Sequence, residues 1–147
     1  MRKQSSGSFV STAIDSTKGL DGPTGLLIDG TTGNLYASAA LSSNIVVRTP
    51  AGAVSTLVAQ GSHGLTEPYG MALAPDNSLV VCSLGSAQLL RFSKANGTYL
   101  GVYVAQNAGS LFSPVSLLFP PENRCPADFN GDGFVTGDDF DQFVDAF

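Results

Sequence analysis

The chain has 147 residues, 43% of them hydrophobic, with 12 acidic and 7 basic side chains for a formal net charge of −5. That length allows one ordinary domain with a real core, and no apolar run approaches the roughly 18 residues of a membrane span. The charge is local: Asp128, Asp132, Asp138, Asp139, Asp141 and Asp145 lie in a tail without a base, while residues 1–127 are nearly neutral and offer nucleic acid no basic stripe.

In chain order, Met1-Arg-Lys-Gln-Ser-Ser-Gly-Ser8 starts basic and turns polar. It lacks the apolar stretch of about 7–15 residues that a signal peptide carries. Residues 20–119 repeat with a period of about 45. Gly22-Pro23-Thr24-Gly25, Glu67-Pro68-Tyr69-Gly70 and Ser113-Pro114-Val115-Ser116 open successive units. Asn34-Leu-Tyr-Ala-Ser38 matches Ser78-Leu-Val-Val-Cys82 at an offset of 44. Asn44-Ile-Val-Val-Arg48 matches Gln88-Leu-Leu-Arg-Phe92, and Val58-Ala-Gln60 recurs as Val104-Ala-Gln106.

Each unit reads as four short strands. They are predicted at 24–28, 34–39, 44–49 and 53–59, then at 69–74, 78–83, 87–93 and 98–104. Turns fall at Asp29-Gly30, Pro50-Ala-Gly52, Ala74-Pro-Asp-Asn77 and Lys94-Ala-Asn-Gly97. No segment between them keeps a helical spacing. A period of 40–50 with four strands per unit is the pattern of a β-propeller blade. The expected fold is all-β: two full four-stranded blades with pieces of two others. Residues 9–13 supply the outer strand of a preceding blade, and 115–119 the inner strand of a following one. Blades bury their faces only against neighbours, so open faces imply either missing blades or other copies of the chain.

Pro120-Pro121-Glu-Asn-Arg-Cys-Pro126 breaks strand and helix alike and reads as a stiff linker. Domain boundaries are therefore set at 1–119, 120–127 and 128–147.

In the tail, side-chain oxygens recur at alternate places: Asp128, Asn130 and Asp132. Gly133 takes the sixth place, Phe134 the seventh, Thr136 the ninth and Asp139 the twelfth. A hard cation needs six to eight oxygens at about 2.3–2.6 Å, and such a loop can fold around Ca2+. Phe134 would give only its backbone carbonyl, so its side chain can be apolar. Thr136 and Asp139 also stand at capping-box spacing for a following helix. On that helix Phe140, Phe143, Val144 and Phe147 form one apolar stripe, a surface for a protein partner.

Two resemblances follow from these residues. The loop 128–139 is an EF-hand-like pattern with Asp139 in place of the usual glutamate. With Cys125-Pro-Ala before it and Phe140 after it, it resembles the calcium-binding repeat of type I dockerins. Cohesin-binding dockerins resemble two such repeats in tandem; this chain has one. The body, through Gly-Pro-x-Gly, Asn-Leu-Tyr-Ala-Ser and Asn-Ile-Val-Val-Arg, resembles NHL-repeat and gluconolactonase-like propellers. In such repeats the first strand lines the central channel, and Gly25 and Gly70 suit its crowded inner end. Asp29 and Asp76 stand where gluconolactonase-like propellers carry metal ligands, but turn aspartates are common and the mixed ligand set is not assembled here.

The remaining polar candidates read as ordinary residues. His63 is the only histidine and sits in a Gly61-Ser-His-Gly64 loop without an evident catalytic partner. Cys82 lies in an apolar strand as a small core residue; pairing with Cys125 in a secreted setting is the alternative. Asn96-Gly97-Thr98 is both a glycosylation sequon and a good hairpin turn. The expected function is a secreted or cell-surface calcium-binding protein with a propeller recognition scaffold and a dockerin-like anchoring tail. No catalytic residue is assigned. The alternatives are a fragment of a lactonase-like or polysaccharide-degrading hydrolase, and a purely structural surface protein.

Overall fold

The computed structural model describes residues 11–119, and their regular structure is almost wholly β. Eight strands run in order: β1 Pro23–Ile28, β2 Leu35–Ala39, β3 Asn44–Arg48, β4 Val54–Val58, β5 Pro68–Leu73, β6 Ser78–Ser83, β7 Gln88–Ser93 and β8 Tyr99–Val104. They make two four-stranded antiparallel sheets, β1-β2-β3-β4 and β5-β6-β7-β8, each in simple sequence order. Every strand end falls within one residue of the position expected from the repeat. Single 3₁₀ turns at Ser16–Lys18, Ser62–Gly64 and Ala108–Ser110 precede the first sheet, join the two, and follow the second.

The turns show why the strands stop where they do. Asp29 accepts hydrogen bonds from the backbone N–H of Thr31 (2.9 Å) and the hydroxyl of Thr32 (2.8 Å), and Gly33 then takes φ +73°. An aspartate that binds the backbone two residues on builds the turn from its own side chain. Asp76 does the same for Ser78, through the N–H at 3.0 Å and the hydroxyl at 2.6 Å, with Asn77 at φ +63°. The β3–β4 and β7–β8 turns close at Gly52 (φ +93°) and Gly97 (φ +72°).

The main core lies between the sheets. In the first sheet Leu27 stands opposite Tyr36, Tyr36 opposite Val47, and Ser38 opposite Ile45, so these residues share one face. That face meets Met71, Leu79, Val81, Leu90 and Phe92 of the second sheet, and Leu65 from the connection fills the space between. Alternation with period two sends the other residues of β2 the opposite way. Ala37 and Ala39 join Val46 and Leu20 in a smaller cluster, with Ile14 and Val54 at its border.

The two first strands approach so closely that only glycine fits. A Cβ on Gly25 would lie 2.4 Å from the Tyr69 carbonyl oxygen, and one on Gly70 would lie 2.8 Å from that of Val115. Gly70 also donates its N–H to Val115 at 3.0 Å. Val115 therefore stands to the second sheet as Tyr69 stands to the first. Residues 115–119 form no ladder of their own, because a strand exists only through its hydrogen-bonded partner. Residues 11–13 are likewise outside any ladder, and 9–10 lie outside the described residues.

Equivalent positions differ according to what covers them. Met71 is 7% exposed against the first sheet, whereas Leu26, at the same place in the repeat, is 71% exposed. Ile28 beside it is 65% exposed.

Gly25→Ala should cost about 2–4 kcal/mol, since the contact is backbone on both sides and neither can yield cheaply. Gly30→Ala, with nothing within 4 Å of the added carbon, should stay within about 0.5 kcal/mol. Urea titration of both variants by circular dichroism checks the contrast.

Candidate functional site

The six residues proposed for calcium, Asp128, Asn130, Asp132, Phe134, Thr136 and Asp139, lie outside the described residues. So do Phe140, Phe143, Val144 and Phe147, and Cys125. Among the described residues one set of polar contacts lies at the seam between the two sheets, at the end where the turns Asp29–Asn34 and Ala74–Ser78 lie.

Lys94, which ends the β7 hairpin arm, reaches across this seam. Its Nζ donates to Asp29 Oδ2 at 2.9 Å and to Asn77 Oδ1 at 3.1 Å, so one ammonium ties the turns of both sheets. The Asp29 side chain is only 1% exposed, while Lys94 keeps 19%. The Lys94 ammonium holds the Asp29 carboxyl well below the usual carboxylate range. Burial opposes that effect, and the donors of Thr31 and Thr32 reinforce it. The Tyr36 hydroxyl donates to the Lys94 carbonyl at 3.2 Å, adding a neutral contact at the same point.

At the start of the first strands the seam is held differently. Ser38 Oγ donates to the Tyr69 carbonyl at 2.6 Å, and Thr24 Oγ1 donates to the carbonyl of Pro68. Hydroxyls of the first sheet thus satisfy backbone acceptors of the second, which would otherwise be unpaired at a crowded place.

Asp76 is half exposed and bound to Ser78, with Arg91 beside it at 3.2 Å. The Ser78 hydroxyl is the chief cause that lowers its pKa. Both aspartates are thus engaged in turns and ion pairs. Among the described residues no group of three or more His, Cys, Asp or Glu is placed to share a metal ion. His63 is exposed and lies flat on Tyr99, with ring centroids 4.2 Å apart and planes 4° from parallel. Cys82 is fully buried, and burial pushes its thiol up to about 11.

Four-stranded antiparallel meanders, repeated at a period of about 45 and packed face to face around glycine-narrowed first strands, match solved structures. Virginiamycin B lyase from Staphylococcus aureus superposes with a TM-score of 0.54 at 14% identity over 68% of this chain and 32% of that one. A catalytically inactive variant of that lyase with quinupristin gives 0.52 at 18% identity over 64% and 30%. Hydrazine synthase from Kuenenia stuttgartiensis gives 0.56 at 16% identity, over 81% of this chain and 30% of that one. The two sheets are β-propeller blades. The chain spans about a third of the length of the solved structures it matches. No family model matches the chain, and no curated protein sequence matches it.

Sequence reasoning placed both blades but took Lys94 only as a turn residue. The signal available was chemical: a lone lysine at a hairpin in a body with few charges needs a partner, and Asp29 sits at the corresponding end of the preceding blade. Lys94→Met should leave Asp29 charged and buried without its ammonium. The expected cost is about 2–3 kcal/mol, below the roughly 3–5 of a fully buried pair because Lys94 keeps some water. Since Asp29 ionises below its unfolded value of about 3.9, its contribution is complete above that pH and is lost as pH falls toward the folded pKa. Wild type and Lys94→Met should therefore differ fully at neutral pH and converge in strong acid, as read by urea midpoints across pH.

Proposed function

We propose that the propeller blades serve as a recognition scaffold in a secreted or cell-surface protein, and that residues 128–147 act as its calcium-dependent anchor. The observation that carries this reading is the spacing of oxygen donors at Asp128, Asn130, Asp132, Thr136 and Asp139 around Gly133. With the Phe134 carbonyl they make a set of hard oxygen ligands only, which suits Ca2+ and disfavours softer metals. Three of these donors are carboxylates, so the site would carry enough charge to hold a divalent ion. Calcium abundance outside the cell fits a site of this kind.

The helix after the loop would present Phe140, Phe143, Val144 and Phe147 to a partner. A two-turn helix is too short to persist alone in water, so covering the stripe and binding the ion would support each other. A single repeat serves here as an anchoring or pairing element, not as a full tandem cohesin ligand. The exposed Leu26 and Ile28 support a second part of the reading, that the first blade seats a further sheet there, from missing blades or another copy.

Calorimetric titration of the full chain with calcium should show saturable binding at one site. Asp128→Ala and Asp139→Ala should abolish it, while Asp145→Ala should leave it intact. No heat above that of the chelated control, or binding unchanged in Asp128→Ala, overturns the calcium assignment. A pull-down against cohesin modules and against the chain itself, in calcium and in chelator, tests the anchoring role. Tight calcium-dependent capture by a cohesin would replace the pairing reading with a direct cohesin one.

A further inference from the structure

The β7–β8 hairpin of the second blade turns through Asn96-Gly97, and its geometry joins a reactive dipeptide to the blade seam. Gly97 takes φ +72°, and a Cβ placed on it would lie 1.8 Å from the carbonyl oxygen of Leu57 in β4 of the first blade. No other residue fits, so the seam itself demands glycine after Asn96. The corresponding turn of the first blade places Ala51 before Gly52 and carries no such pair. Asn96 is exposed, and its Oδ1 accepts from Thr98 N–H at 3.1 Å.

We propose that Asn96-Gly97 is a self-modification site gated by the seam between the two blades. In the reaction the Gly97 backbone nitrogen loses its proton and attacks the Asn96 side-chain carbonyl carbon. The bond from that carbon to the amide nitrogen breaks and ammonia leaves, giving a five-membered imide. Water then opens the imide to aspartate or to isoaspartate, with no oxidant, reductant or other reactant. Glycine lets the nitrogen reach the carbon because no side chain obstructs the approach.

With the blades docked, the approach is blocked twice. The proton that Gly97 must lose is donated to the Ser93 carbonyl at 2.9 Å, and the Asn96 side chain is held by Thr98. The Leu57 carbonyl of the first blade crowds the glycine from the other side. Lys94, two residues before Asn96, anchors the same hairpin to Asp29. Opening the seam withdraws the Leu57 and Asp29 contacts and leaves the turn to its own local hydrogen bonds, which then open more readily. The isoaspartate product inserts a backbone methylene beside Gly97, where the Leu57 carbonyl leaves no room, so a modified hairpin cannot return to its seat.

The test incubates the full chain in mildly alkaline buffer, folded and in urea, and follows the Asn96 peptide by mass spectrometry. The map reports Asn130-Gly131 separately. The folded chain should react at least about tenfold more slowly than the unfolded one, and Lys94→Met should raise the folded rate several-fold. Equal rates in folded and unfolded chains overturn the proposal, as does a folded Lys94→Met that reacts at the wild-type rate. If Lys94→Met does not fold, sub-denaturing urea on the wild type decides. A rate that climbs before the global transition supports gating by the seam, and one that follows only the global transition overturns it.

Discussion

A four-stranded sheet with no helix to cover it has two apolar faces and no means of its own to bury either. Its core can exist only against a second sheet at a spacing of about 10 Å. In this chain that spacing is set where β1 meets β5. Gly25 removes the side chain that would hold the strands apart, and the Tyr69 carbonyl moves into the space. Once there, that carbonyl needs a donor, and Ser38 provides one. The packing of Tyr36, Ile45, Met71 and Phe92 depends on this approach, because side chains interdigitate only at contact distance.

Apolar contact between sheets is non-directional and would tolerate some sliding. The polar contacts remove that freedom. Hydroxyls of Ser38 and Thr24 bind carbonyls near the start of β1, and the Asp29–Lys94 pair binds beyond its end. Two pins at opposite ends of one strand fix the blade in both translation and rotation. An ion pair is weak evidence for net stability, since desolvating it costs much of what the attraction returns. Its contribution here is to specify which blade orientation is adopted.

Much of the fold was legible because its signals are local. Aspartate, asparagine and glycine at Asp29, Gly52, Asn77 and Gly97 mark each hairpin through short-range geometry, and the repeat shows the same marks twice. The period then implies the blade. The contacts across the seam were not legible, because they join residues such as Asp29 and Lys94 that are far apart in sequence and share no pattern. Tyr36 and Ser38 illustrate the same limit: alternation puts both on one face, but says nothing of the Lys94 and Tyr69 carbonyls they meet. The oxygen spacing of residues 128–139 is also a local sequence pattern, and it lies outside the described residues.

The repeat places Cys82 where the first blade has Ser38. That exchange keeps the size of the side chain and removes its strong donor. A thiol buried among apolar neighbours gives little to a carbonyl, so among the described residues the Val115 carbonyl takes its hydrogen bond from the Gly70 N–H, where the Tyr69 carbonyl takes one from the Ser38 hydroxyl. The first junction, between the two blades, also carries the Thr24–Pro68 and Lys94–Asp29 contacts, so among the described residues it and the one at Val115 are unequal in mechanical strength. Under a pulling force or a rising denaturant, the stretch around Val115 would peel away first, while the seam locked by Ser38 and Lys94 would yield last. Among the described residues the order of opening thus follows from side-chain contacts that one junction has and the other lacks.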